Sequence, residues 1–583
     1  MAFQVSPGVR IKEVDATNVV PATSSSIGGF VGAFNWGPVE KVTLVGSENQ
    51  LAETFYQPDD STAKYFLPAA GFLKYGNALK VVRVVDSSAK NAHSEGASTN
   101  GQSAVTVKND DDYLSQVDGL HASINWVAKF PGLLGNSLRV EVCPVSGSDS
   151  VFNAWAYAGQ FDSAPGTSVQ AAAASKAGDE VHVVVLDKDG LITGTQNTVL
   201  ERYSHVSQLS DVKDASGTSL HYKDVINNSS DWIRWVNHDS SSFTDAGKTL
   251  AAGSNQLSNA TVDTHSAVLV FEFLDGADGN TPTTGNIATG YDFFNDSNVE
   301  DVSLLFASPD ANNASTIAND IIAIAAARKD CMAFVSPPLE DTINNVATPV
   351  DNVIAFAKGT DAGHSGLTDS SYGFCDSSAL YVYDKYNDKF RYIGAAGHMA
   401  GLCANTDNVA DAWFSPAGLT RGALLGVVKL AHNPDSAGRD KLYKARVNPI
   451  VSMPGQGIVL FGDKTLLKRP SAFDRVNVRR LFIALEKSIS TAAKGQLFEF
   501  NDEFTRAQFL NLVEPFLRDV KGRRGITDFN VVCDGSNNTS QIIDSNQFVA
   551  DIYIKPARSI NFITLSFIAT RSGVEFSEIA GQV

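Results

Sequence analysis

The chain opens with a strand that has nothing nearby to pair with. Ser6-Pro7-Gly8 is a turn signal, and after it Val9 and Ile11 fall on one face while Arg10 and Lys12 fall on the other, the period-two pattern of a half-buried strand. No second strand lies within hairpin reach. A strand by itself leaves its N–H and C=O groups unsatisfied, so this one must join a sheet built elsewhere in the chain or in another chain. The carboxy end repeats the problem, because the segment beyond Gly573 follows the last readable strand. Both ends of the chain are therefore expected to finish sheets in neighbours.

Between these ends the patterning is α+β. Gly28-Gly29 and Gly37-Pro38 read as turns, residues 64 to 75 as a helix, and Leu79 to Val85 as a buried strand. Residues 87 to 118 are polar and lead into 124 to 141, and Val181 to Leu186 forms a strand closed by the turn Asp187-Lys188-Asp189-Gly190. Ser, Asn, Asp and Gly dominate 207 to 265, the composition of an exposed insertion. Val302 to Ala307, Thr316 to Arg328 and Cys331 to Val335 read as strand, helix and strand, a small βαβ unit.

Towards the carboxy end, Val478, Leu481, Phe482, Leu485 and Ile489 recur at helical spacing, and so do Phe509, Leu512, Val513, Phe516, Leu517 and Val520. Thr505 and Gln508 look like a capping box for the second helix, and Pro515 is expected to kink or split it. Strands follow at 529 to 533, 548 to 554 and 563 to 567.

With 583 residues, of which 43% are hydrophobic and 19% charged, the chain is a core-forming protein of about four domains. Its net charge of −18 argues against a nucleic-acid partner. Residues 421 to 530 run against that balance, with 19 Lys and Arg facing 11 Asp and Glu. Such a region is either a solvated helix face or a docking surface for an acidic partner. Cys143, Cys331, Cys375, Cys403 and Cys533 are odd in number and scattered, which points to reduced, buried thiols. The charged opening residues do not form a signal peptide, and no run reaches the roughly 18 apolar residues of a membrane span. The expectation is a chain made in, and soluble in, a cytoplasm.

Catalytic chemistry finds no local support. Upstream of Gly247-Lys248-Thr249 the position that a phosphate-binding loop gives to glycine is Ser242. Nucleophile-elbow, zinc-helix, EF-hand and dinucleotide-binding patterns are missing from the sequence. Asp59-Asp60 and Asp110-Asp111-Asp112 read as solvated loop charges, and His398 and His432 as ordinary hydrogen-bonded or surface histidines rather than isolated bases. No catalytic, metal-binding or cofactor-binding residue is assigned.

Several segments together resemble one family, the contractile tail sheath proteins of tailed phages, and among them the T-even type. They are SPGVRIKEVD at Ser6 to Asp15, GPV at Gly37 to Val39, FLKYGNALKVVRVVD at Phe72 to Asp86, YDKYND at Tyr383 to Asp388 and AGLCANTDNV at Ala400 to Val409. SPAGLTRG at Ser415 to Gly422, FDRVNVRRLF at Phe473 to Phe482, FNVVCDGSNNT at Phe529 to Thr539 and FVADIYIKPARSINFITLSFIAT at Phe548 to Thr570 complete the set. One departure is that residues 92 to 118 leave only a short loop where the T-even sheath carries a large outermost domain, which is expected to be missing or vestigial.

The resemblance implies a multidomain sheath fold with nested insertions and discontinuous inner and middle domains. The expected layout is an arm at 1 to 20, a middle domain from 21 to 87 and 346 to 434, an outer insertion from 88 to 345, and an inner domain from 435 to 583. It implies a structural subunit, not an enzyme, that stacks as hexameric rings around a tail tube and contracts to drive the tube through the host envelope for genome ejection. The implied partners are copies of itself, the tube protein, and baseplate and tail terminator proteins, with no direct nucleic acid and no membrane insertion. The virion tail is the implied location, after assembly in the host cytoplasm.

Arg479, Arg480, Lys487, Lys521, Arg523 and Arg524 are the expected tube-facing cations. Val9, Ile11 and Val14, with Ile563, Leu565, Phe567, Val574 and Phe576, are the expected inter-subunit arm residues. The competing readings are the sheath of a phage-derived bacteriocin or injection machine, and a tail-surface module that binds or hydrolyses glycans, for which paired carboxylates across a groove are required.

Overall fold

The computed structural model describes residues 25–95, 106–116, 124–236, 267–309, 314–360 and 365–560. Twenty strands are described. In chain order they are β1 Gly28–Gly32, β2 Val42–Val45 and β3 Leu79–Arg83, then β4 His93–Glu95, β5 Ile124–Ala128, β6 Leu138–Pro144 and β7 Glu180–Asp187. β8 Thr198–Ser207, β9 Ile233–Trp235 and β10 Leu269–Leu274 precede β11 Leu304–Phe306, β12 Met332–Val335 and β13 Gly373–Cys375. β14 Leu380–Asp384, β15 Lys389–Ile393, β16 Val427–Leu430, β17 Ile450–Met453, β18 Gly457–Leu460, β19 Ile526–Val532 and β20 Asp551–Pro556 complete the series.

The described residues form two compact units, the larger running to Lys487 without 413–415, and the smaller comprising 413–415 and 488–560. At the heart of the larger unit is a six-stranded sheet in the order β13-β12-β11-β1-β3-β2, parallel except for β2. The helices Ala63–Leu73, Ala314–Arg328 and Pro349–Lys358 lie in the connections between its strands. Parallel strands need such crossovers and are covered on both faces by them. That is why β1, β11 and β12 are buried throughout instead of alternating.

Gly28 and Gly29, read from sequence as a turn, lie in the central strand β1. A Cβ on Gly28 would sit 2.7 Å from the Phe72 ring, and one on Gly29 2.8 Å from the Leu305 and Val302 side chains. The pair is glycine because neighbouring side chains fill the space, while Gly37, at φ +98°, is the turn that was expected. The βαβ unit at 304–335 is present, but β11 and β12 pair with β1 and β13 in this first sheet. The inserted domain therefore does not reach 345.

What is inserted between β3 and β11 is a seven-stranded antiparallel sheet, β8-β7-β6-β10-β4-β5-β9. Trp126, Tyr222, Phe271, Phe273 and Trp235 fill its core. The start of the 207 to 265 stretch, expected to be all exposed loop, supplies the helix Tyr222–Ser229 and β9, with Tyr222, Ile226 and Ile233 fully buried. Residues 237–266 lie outside the described residues. Arg83, the last residue of β3, ties the insertion to the first sheet. Its guanidinium is buried and donates to the carbonyls of Phe34 (2.8 Å), Gly37 (2.8 Å) and Pro131 (2.7 Å). Burial pulls its pKa down to about 9, with Asp278 acting in the opposite direction.

The antiparallel sheet β15-β14-β16 and the hairpin β17–β18 also belong to the larger unit. Asn448 N–H donates to Cys375 O at 2.9 Å and Ile450 N–H to Ser377 Oγ at 2.9 Å, which fastens β17 to the end of β13. The division between units falls after Lys487, not at the expected 435.

Candidate assembly interface

Three of the expected tube-facing cations lie on the helix Val476–Ala493, and none of the three is a free surface charge. Arg480 Nη2 donates to both carboxylate oxygens of Asp407 at 2.7 and 2.6 Å, and Nη1 donates to Cys403 O at 3.3 Å. Burial works against its charge, but Asp407 outweighs burial and holds the pKa above the ordinary arginine value. Arg479 donates to Ser371 Oγ (2.8 Å) and Tyr372 Oη (3.2 Å), and its guanidinium lies 3.9 Å from the Phe473 ring centre. Lys487 pairs with Asp301 and donates to Ser303 Oγ at 3.2 Å. These cations hold the larger unit together. Arg480 is buried in an ion pair and Arg479 is buried against Tyr372 and Phe473, so neither is exposed as a tube-facing cation was expected to be, and Lys487 is already engaged by Asp301.

The other three cations, Lys521, Arg523 and Arg524, are exposed at and just beyond the end of the helix Glu503–Gly522 in the smaller unit. The cap of that helix is Asp502, which accepts from Thr505 N–H at 2.8 Å, so Thr505 is already inside the helix and the expected capping box is displaced. The helix runs unbroken through Pro515. Pro515 and Asn511, whose carbonyl the proline leaves without its helical donor, are both exposed, so water satisfies the lost bond. Phe509, Leu512, Val513, Leu517 and Val520 on the opposite side are buried. At a transfer value of about 1.5–3 kcal/mol per large side chain, that face outweighs the cost of the proline.

Beyond the helix, Arg523 O accepts from Trp413 Nε1–H at 3.1 Å, and the Arg523 guanidinium lies 5.1 Å from the Trp413 ring centre. Lys521 reaches Asp528 at 3.2 Å and Arg523 reaches Asp519 at 3.6 Å. Hydrogen bonding from Lys521 keeps the Asp528 carboxyl below its ordinary range. These are exposed, screened pairs worth about 0–1 kcal/mol each, easily exchanged for another acidic partner.

β19 and β20 pair antiparallel, Phe529 opposite Ile554 and Val531 opposite Ile552. Among the described residues they pair with no other strand. The arm residues Val9, Ile11, Val14, Ile563, Leu565, Phe567, Val574 and Phe576 lie outside the described residues.

His398 is buried, its Nδ1 3.1 Å from Tyr75 Oη, and burial lowers its pKa to about 3. The His432 pKa is also lowered by burial. Asp110 pairs with Lys41 (2.8 Å) and with Arg234, and Lys41 foremost draws its pKa down to about 2. Among the described residues no group of three His, Cys, Asp or Glu side chains is placed to hold a metal ion, and no helix is long and apolar enough to cross a membrane.

Comparison with known proteins divides the chain differently at its carboxy end, starting the C-terminal domain at 468, before the structural boundary after Lys487. Residues 26–84 match the family model of the tail sheath protein Gp18 domain III N-terminal region, 281–466 the phage tail sheath protein central domain, and 468–570 the phage tail sheath C-terminal domain. The first two hold all six strands of the parallel sheet. The tail sheath protein of Enterobacteria phage T4 is 32% identical over 658 aligned residues, covering 99% of both chains. That of Salmonella phage ViI is 33% identical, covering 99% of this chain and 98% of its own. The crystal structure of the sheath tail protein Lin1278 from Listeria innocua shares the fold, with a TM-score of 0.54 and 11% identity over 92% of this chain and 93% of that one.

Proposed function

This chain belongs to the phage tail sheath family and is a subunit of a contractile tail sheath that assembles helically from its own copies, and on that premise we propose how it is placed in the tail. It stacks as hexameric rings around the tail tube in an extended state, and contraction drives the tube through the host envelope. Baseplate and tail terminator proteins hold the two ends, and assembly takes place in the host cytoplasm. The observation that carries this reading is 32–33% identity with tail sheath proteins along 99% of the chain.

The smaller unit carries the tube-facing surface, with Lys521, Arg523 and Arg524 exposed for an acidic tube. The seven-stranded insertion of the larger unit points away from the tube. An alignment longer than this chain fits the view that the T-even outermost domain is reduced here. The arms around Val9, Ile11 and Val14, and from Ile563 to Phe576, cross to neighbouring copies. What supports this is that β19 and β20 form only a two-stranded sheet among the described residues, and such a sheet is marginal by itself and gains from added strands. Each added hydrogen bond contributes about 0.5–1.5 kcal/mol, and a lattice repeats that gain at every subunit.

Deleting residues 1–18, or truncating after Thr570, tests the arms. Either change should leave a folded monomer that builds no sheath, and full-length contractile sheaths from either variant would show that the arms are not the link.

A further inference from the structure

The loop before the helix Glu503–Gly522, with the first turn of that helix, exposes more apolar surface than a lone subunit has use for. Leu497, Phe498, Phe500 and Phe504 are all exposed, Phe498 completely. Phe498 also holds φ +71°, a left-handed conformation that costs a bulky residue about 1–3 kcal/mol. Nothing among the described residues returns that cost. An aromatic side chain buries about 150–250 Å² when covered, so the loop offers most of the roughly 800 Å² that one side of a stable interface requires. Patches of this size mark partner sites.

The larger unit exposes a second aromatic patch. On the outward face of β14 and β15, Tyr381 lies opposite Tyr392 and Tyr383 opposite Phe390. The rings form a continuous strip, with centroids 4.6 Å apart for Tyr381–Tyr392, 5.4 Å for Tyr381–Phe390 and 5.2 Å for Tyr383–Phe390. Lys429, on β16, lies 4.5 Å from the Tyr381 ring centre and makes no ion pair among the described residues. Lys385 and Lys389 at the rim are already paired with Glu48 and Asp60. Glu499 on the loop and Glu503 at the start of the helix are exposed carboxylates without an ion pair among the described residues.

We propose that the Phe498–Phe500–Phe504 loop of one copy docks on the Tyr381–Tyr383–Phe390–Tyr392 face of a second copy, with Glu499 meeting Lys429. This rests on the sheath reading above and adds a specific contact to it. Two different patches that fit one another make a head-to-tail contact, which propagates along a lattice instead of closing as a dimer. The area of the loop and the uncompensated charge on each side favour another copy of this chain over the tube as its occupant.

Cysteine pairing tests the contact, because the five native cysteines are buried. Sheaths assembled from a mixture of Phe498→Cys and Phe390→Cys copies should give heterodimers under oxidation, and a chain carrying both changes should give a ladder of multimers. Separately, Glu499→Lys and Lys429→Glu should each raise the concentration needed for assembly about tenfold, and the two together should restore it. Assembled sheaths with no copy-to-copy link, a link from Phe498→Cys to the tube protein, or no rescue by the combined charge swap would overturn the proposal. Failure of the unmodified chain to form any sheath would count instead against the sheath reading.

Discussion

Arg480 and Asp407 form a buried pair in which one guanidinium nitrogen reaches both carboxylate oxygens, at 2.7 and 2.6 Å, with 3% and 10% of the two side chains exposed. Ser25 Oγ donates to the same carboxylate at 2.6 Å. The pair therefore joins the start of the six-stranded sheet, the helix Ala396–Val409 and the helix Val476–Ala493. Removing one partner leaves a buried charge without compensation, at a cost of about 3–5 kcal/mol. Arg480→Ala and Asp407→Ala should each lower the urea midpoint by a matching amount. Arg480→Met combined with Asp407→Leu should recover most of the loss. Unchanged stability with weakened tube binding would return Arg480 to the docking surface.

Charge reversal at the exposed cations has the opposite profile. Lys521→Glu, Arg523→Glu and Arg524→Glu should each change stability by no more than about 0.5 kcal/mol. Together they should impair assembly on tubes, and most strongly at low salt where charges are least screened. Sedimentation of sheath with tubes across a salt series measures this, and unchanged assembly at low salt counts against the docking role.

Asp376 sets a pH dependence. It is fully buried, Ser336 Oγ donates to it at 2.6 Å, and burial raises its pKa from the ordinary 3.8 to about 8. Between those two values the folded chain keeps a proton that the unfolded chain has lost. The contribution of Asp376 to stability is therefore full below about pH 4 and falls away as pH rises towards 8. Asp376→Asn should fold and should remove this part of the decline. Denaturant midpoints at several pH values compare the two, and equal slopes for wild type and variant would contradict the assignment.

Much of the fold was legible because its elements announce themselves locally. The apolar spacing through Val478, Leu481, Leu485 and Ile489 gave the helix Val476–Ala493, and the Val-rich run at 181–186 gave β7. What escaped depends on partners distant in sequence. Gly28 and Gly29 read as a turn until Phe72 and Leu305 are seen to occupy the space of a side chain. β11 joins β1 across the whole inserted sheet, so no local pattern could place the boundary of the insertion. Arg479 and Arg480 looked like surface cations because their partners, Ser371 and Asp407, lie far back in the chain. The aromatic loop at 497–504 carries a composition that reads as core. Only its exposure singles it out.

Sheath building by copies of this chain is tested most directly by electron microscopy of the purified full-length protein mixed with tail tubes. The predicted result is hollow helical sheaths around the tubes, absent when residues 1–18 are removed. A full-length chain that stays monomeric in the presence of tubes would contradict it.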